Sequence, residues 1–369
     1  MGGDATPTAA EPDPDIAAAA EQNRRFQLAL PRVAEWLLEH SDPRKRAAGL
    51  LYSVSRSGML EAQAAMVERT TTDEHLREYD SIRQSALDAL DRAEAMNDAL
   101  GAFEPAELLD RFDKAIRTTT DGAALAWLAA ACATADIEAF CVVTGLDDAI
   151  VVHDGANLFS RLALFPGAEA EERDRLIIQA ENTQNYVSQL TAVWFEALDE
   201  GPGAAVLKRP ELKLTGAFAI SMAYGIPAYQ SVTQACGAEI TPGSELDRAC
   251  GRITERMISD SHTGIGQMVG ISLASSRAEA RGDQATADRL EQRKVFENAV
   301  LSCRATALTD DLENIDESGA RNFMEMLGRH GEIEAYERLS AQHDIDCSNP
   351  DDPTADAMEE YARQLEGGP

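Results

Sequence analysis

From about residue 22 the chain repeats one arrangement: apolar side chains at three- and four-residue spacing, a short polar turn, then another apolar series. Leu28, Leu30, Val33, Trp36 and Leu37 share one side of a helix, because 3.6 residues per turn stacks such positions. Ser41 and Asp42 then offer capping oxygens, and Pro43 is preset for a first helical position. A second helix is expected there, with Ala47, Leu50 and Leu51 inward, making a helical hairpin. The punctuation recurs. Thr72-Asp73 precedes a long segment reaching Leu100, Pro105 opens FEPAELLDRFDKAI, and Asp121 precedes ALAWLAAAC. No run alternates apolar and polar residues as a half-buried strand would. The predicted fold class is all-α: an array of helical hairpins, as a solenoid or compact helical-repeat bundle, without significant sheet.

Thr215 to Ala238 carries no charge and so invites a membrane-span reading. Ser221, Tyr224, Gln230, Ser231, Thr233 and Gln234 make it too polar, and Gly225 with Pro227 divides it into two short helices. The preceding GPGAAVLKRPELK is punctuated by glycine and proline and marks the best subdomain boundary. The expected organisation is a disordered tether over 1–21, helical-repeat regions over 22–200 and 201–348, and an acidic tail or terminal helix over 349–369.

Within the second region, ARNFMEMLGRHGEIEAYERL at 320–339 reads as a helical pair: Phe323, Met326 and Leu327 inward, a turn at His330-Gly331, and Ala335, Tyr336 and Leu339 on the return. Those twenty or so residues resemble a tetratricopeptide-type unit, although the regular 34-residue period does not run through the chain. As a whole the sequence resembles a divergent, exported α-helical repeat protein of the tetratricopeptide-like or Sel1-like kind. That resemblance implies protein binding and disulfides between adjacent helices. The opening MGGDATPTAAEPDPDIAAAA has neither the basic nor the apolar region of a signal peptide. It resembles the spacer after the lipid-bearing cysteine of bacterial lipoproteins, which implies a lipid anchor on the native N-terminus and a Met1 standing in place of that cysteine. Gly2 and Thr6 also fit a loose myristoylation pattern, which Asp4 weakens.

Composition narrows the partners. Hydrophobic residues make up 44% of the chain but aromatics only 5%, which suits close helix packing better than a β-sandwich. Acids outnumber bases 64 to 33, for a formal net charge of −31. Such a field repels phosphate backbones and anionic membrane surfaces, so neither nucleic acid nor such a membrane is an expected partner; that no transmembrane span is expected rests on the polarity of 215–238. The acidity is either a solvated surface or a means of steering a basic protein partner.

The six cysteines fall as C-x8-C (Cys132, Cys141), C-x13-C (Cys236, Cys250) and C-x43-C (Cys303, Cys347). An even set of this size permits fifteen complete pairings. Each neighbouring pair flanks a helix–turn–helix junction, where antiparallel helices bring Cα atoms to about 5.5–6 Å, so local pairing is the economical choice. The chain-entropy model gives such loops about 2.7, 3 and 4 kcal/mol, available only in an oxidising compartment such as the periplasm. The competing reading is six reduced, buried thiols in a cytosolic protein.

Candidate chemistry is sparse. Cys303, His330, His343 and Cys347 could assemble a zinc site, but the chain has no C-x2-C or C-x4-C knuckle. His-Glu-x-x-His, Glu-x-x-His, Gly-x-Ser-x-Gly and the phosphate-binding Walker loop are all absent. SDSHTGIGQMVG at 259–270 groups Ser259, Asp260, Ser261 and His262 with Gly264, Gly266 and Gly270. His262 as a general base competes with a capped helix start whose glycines admit a close neighbour, and the second reading is preferred. Asp310-Asp311 suggests a magnesium diphosphate cluster but lacks its companion motif, so a polar interhelical turn is expected. Trp36, Trp127 and Trp194 lie on apolar faces and do not furnish the aromatic platform of an α/α-toroid glycosidase. No catalytic, cofactor-binding or metal-ligating residue is assigned. The function expected is protein binding in the bacterial envelope, as a periplasmic immunity or inhibitor-type lipoprotein. Alternatives are a carboxylate-dependent helical hydrolase and a cytosolic helical-repeat scaffold.

Overall fold

The computed structural model describes residues 14–53, 105–134, 141, 144–157, 159–160, 170–179, 186–225, 227–237, 240–312, 315–342 and 345–347. The long segment expected from Thr72 to Leu100 and the tail over 349–369 lie outside them. Among the described residues every regular element is helical and none is a strand.

Helix α1 runs Pro14–Glu39, so it starts inside the stretch expected as a tether over 1–21; residues 1–13 lie outside the described residues. Pro14 enters the helix at its first position, and the alanines of IAAAA are the strongest helix formers. Helix α2 is described over 43–53, and the Asp42 carboxylate accepts the Arg44 N–H at 2.8 Å, as the capping pattern requires. Helices α3 (Pro105–Thr118), α4 (Gly122–Thr134) and α5 (Leu146–His153) follow. Asp121 caps α4 by accepting the Ala124 N–H at 3.0 Å and also pairs with Arg44 from α2. Helices α6 (Ala170–Gln179) and α7 (Val187–Glu200) lead through a short 3-10 turn to α8 (Pro210–Gly225) and α9 (Pro227–Ala235), so the uncharged stretch is broken where glycine and proline predict. Among the described residues no helix is long and apolar enough to cross a membrane. Helices α10 (Glu245–Ser259), α11 (Gly264–Ala280), α12 (Gln284–Leu312), α13 (Glu317–His330) and α14 (Glu332–Gln342) are the last among the described residues. Asp310 and Asp311 belong to the last turn of α12, not to an interhelical turn.

Two apolar cores result. The larger gathers α1 to α5, α7, α8, α13 and α14 around Trp194, Phe112, Leu125 and Phe323. The smaller joins α6, α9, α10 and α11 around Ile177, Val232 and Met257. Trp127 and Trp194 are core residues and Trp36 packs against the same cluster. Gly270 shows why small residues recur: a β-carbon there would come within 2.7 Å of Met257 Cβ, so α10 and α11 meet only over a bare backbone.

Ion pairs buried between helices fix their register. Asp199 on α7 accepts Lys213 Nζ from α8 at 2.5 Å and Arg321 Nε from α13 at 2.7 Å. Asp247 on α10 accepts Arg277 Nη2 at 2.6 Å and Arg281 Nη2 at 2.5 Å, while the Gly243 N–H reaches it at 2.9 Å. In both places burial pushes the carboxyl pKa up, and the cationic and N–H donors more than reverse it, leaving Asp199 and Asp247 below the ordinary carboxylate range.

Candidate functional site

The end of α10 at Ser259 and residues 260–263, which connect it to α11, meet the α13–α14 hairpin. The connection is built by capping. Thr263, itself in extended backbone, caps α11 by accepting the Gly266 N–H at 3.2 Å, and Asp260 to His262 form the connection after α10 ends. The hairpin reverses at Gly331, whose φ of 89° is strained for any other residue, and a β-carbon there would stand 2.7 Å from His262. Glu332 N–H donates to the His262 carbonyl at 2.7 Å, and the Gly264 N–H donates to Glu332 Oε2 at 2.9 Å. That carboxylate thus occupies the N-terminus of α11, where N–H groups and the helix dipole favour negative charge. Burial nevertheless pushes the Glu332 pKa up, and the Gly264 N–H only partly offsets it. Burial also raises Tyr336, with the Glu332 charge adding to the shift.

Outside this joint lies a cleft of about 560 Å³, with one wall from Ser259, Asp260, Ser261 and His262 and the other from His330, Ile333, Glu334, Glu337, Arg338 and Ala341. Arg338 Nε donates to Glu334 Oε1 at 3.0 Å. This bond, followed by the charges of Arg338, His330 and His262, holds Glu334 below its ordinary pKa. His330 Nδ1 is 3.4 Å from the same Glu334 oxygen, and His262 Nδ1 is 3.3 Å from the His330 carbonyl. His330 therefore shares a wall and a contact with Glu334, and His262 reaches the His330 carbonyl from the opposite wall.

A second polar cluster closes α5. Asp154 accepts hydrogen bonds from Tyr186 OH at 3.0 Å, Asn157 Nδ2 at 3.1 Å and Ser160 Oγ. Burial raises its pKa against these three donors, and the Asp121 charge adds to the rise. Tyr186 is raised as well, chiefly by burial and then by the Asp154 charge. These contacts join the end of α5 to the start of α7.

The cysteine expectation meets a direct geometric answer. Cys132 and Cys141 approach at 1.98 Å between sulfurs, Cys236 and Cys250 at 2.03 Å, and Cys303 and Cys347 at 2.07 Å. Cα separations are 6.4, 5.4 and 5.9 Å, within the range a disulfide spans. The third pair departs from the expected junction: Cys303 lies on α12 and Cys347 beyond α14, so it spans the whole α13–α14 hairpin. With Cys303 and Cys347 joined, neither thiolate is free for the zinc quartet; His343 lies outside the described residues. Among the described residues no cluster of three or more potential ligands has metal-binding geometry.

His262 was legible as a feature of the sequence, but its companions Glu332, Glu334, Glu337 and Arg338 were not. The sequence reading assigned the returning helix its inward Ala335, Tyr336 and Leu339 and gave no role to its charged residues, which the Gly331 reversal brings to the 259–262 segment. Comparison with protein-family models, curated proteins and solved structures finds no match for this chain.

Proposed function

We propose that the chain is a helical protein-binding module of an oxidising, extracytoplasmic compartment, whose acidic surface takes a basic protein partner. The observation that carries the reading is the placement of all six cysteines as three pairs at bonding distance. Disulfides persist where thiol reductants are excluded, as in the bacterial periplasm. The net charge of −31 supplies the partner class, since it accelerates encounter with cations and repels nucleic acid. An envelope protein of the immunity or inhibitor type, held by a lipid anchor on its native N-terminus, is the finer form of the proposal.

The test is capture of partners from native extract with the oxidised protein, together with non-reducing peptide mapping of material from its own cells. The expected outcome is one dominant basic partner, released as salt rises, and three intact crosslinks. Free thiols in the native material would favour the cytosolic scaffold. The contact between His330 and Glu334 in an open cleft favours one second reading, carboxylate-dependent hydrolysis. Turnover of a glycoside or ester panel that disappears in Glu334→Gln would establish it.

A further inference from the structure

The three disulfides differ in what surrounds them. Cys132, Cys141, Cys236 and Cys250 are each 0% exposed, so both of their bridges are closed to a reagent in solution. Cys347 is 7% exposed and its partner Cys303, on α12, is half-buried, so this is the bridge that solvent touches. Thiol–disulfide exchange is an attack on one sulfur, and access to that sulfur governs which bridge opens.

The same bridge also fastens α12. None of the described side chains of this helix belongs to either apolar core; Ala287, Ala299 and Val300 are buried, whereas Val295 and Phe296 are exposed. Along α11 the helix is seated by close packing, since a β-carbon on Gly264 would come within 2.9 Å of Leu301, and the Ser275 hydroxyl donates to the Ala287 carbonyl at 3.4 Å. Towards α14 the ties are thinner. Arg304 reaches Glu337 at 3.8 Å, and because Glu337 is exposed that ion pair contributes little. Helix α14 itself is anchored in the larger core by Ala335, Tyr336 and Leu339, and the Ile345 N–H donates to the Ser340 carbonyl at 2.9 Å, holding the approach to Cys347 against its end. Cys303–Cys347 is thus the covalent link between a helix with no share in a core and the end of a hairpin that has one.

Going beyond the protein-binding reading, we propose that Cys303–Cys347 is a redox-sensitive latch. A dithiol reductant opens it in the folded protein while the other two bridges stay closed, and its opening loosens α12 from α14. One thiolate of the reductant attacks Cys303 Sγ, the more exposed sulfur, and the electron pair of the S–S bond leaves on Cys347 Sγ, which takes up a proton. The reductant's second thiol loses its proton and attacks its own sulfur in the mixed disulfide, returning Cys303 as a thiolate that is protonated in turn. Two electrons and two protons pass to the bridge, and the dithiol becomes an internal disulfide. Closure takes a disulfide oxidant and runs the same steps backwards. Exposed bridges are the labile and regulatory ones in general.

The experiment treats the full oxidised chain with stepped dithiothreitol in the absence of denaturant, traps free thiols with N-ethylmaleimide and locates them by peptide mass. Cys303 and Cys347 label about tenfold faster or more than the other four cysteines, as exchange at a reachable sulfur requires. With this bridge alone open, amide hydrogen exchange rises in α12 around Cys303, while α7 and α10, which lie in the two cores, keep their protection. Cys303→Ser with Cys347→Ser shows the same raised exchange without reductant and no further change when it is added. Equal labelling of all six cysteines, first labelling at a buried pair, or unchanged exchange in α12 once the bridge is open overturns the proposal.

Discussion

At the residue scale, Asp247 and Glu332 make opposite demands on pH. Asp247 is held ionised by Arg277, Arg281 and the Gly243 N–H, so its folded pKa lies below the unfolded value of about 3.9. Its contribution is complete above that value and is lost as pH falls through the folded pKa. Glu332 is raised by burial, so its ionised form burdens the folded state, and that burden lifts as pH falls through the folded pKa towards about 4.3. Urea titrations between pH 7 and pH 3 should therefore show wild type gaining stability relative to Glu332→Gln on mild acidification. Below about pH 4 it should lose stability relative to Asp247→Asn. At pH 7, Asp247→Ala should cost about 3–5 kcal/mol, because it strands Arg277 in the interior; a loss under 1 kcal/mol would refute this account of the pair. None of this was visible in the sequence. Asp247 and Asp199 look like any first-turn or last-turn acid, and the Lys and Arg side chains that pair with them are 14 to 122 positions away along the chain.

At the scale of elements, local signals were read well and long-range ones were not. Pro43, Pro105, Asp121 and the Gly225-Pro227 break act within one helical turn, so the residues themselves specify the starts of α2, α3, α4 and α9. The early start of α1 was missed because its first turns are alanines and acids without an apolar stripe. Alanine needs no stripe to be helical. The Cys303–Cys347 pairing was expected as the local choice and is found; what it spans is the α13–α14 hairpin, which carries the chain back beside α12. Replacing both by serine should lower stability by about 2–4 kcal/mol, as loss of a long crosslinked loop predicts. The decisive measurement is thermal or urea unfolding of the double variant beside wild type. An unchanged midpoint would show that packing of the hairpin holds it without the crosslink.

At the scale of the whole molecule, the larger core takes helices from both ends of the chain: Leu37 and Leu51 near its start share it with Phe323 and Leu339 near its end. The all-helical class was legible from periodicity, whereas this closure was not, because it depends on which apolar faces find each other across some three hundred positions. The 259–262 cleft is a by-product of the same closure: SDSHTGIGQMVG and the 320–339 pair were each read separately, and nothing in either said that they meet. The bridge from α12 past α14 has a further effect on how the chain fails. A protease that cuts anywhere between Cys303 and Cys347 leaves both products tied together, so the nick should be silent on a non-reducing gel and appear as two fragments once reductant is added. The hairpin that fastens one end of the molecule to the other would thus survive a break in its own backbone.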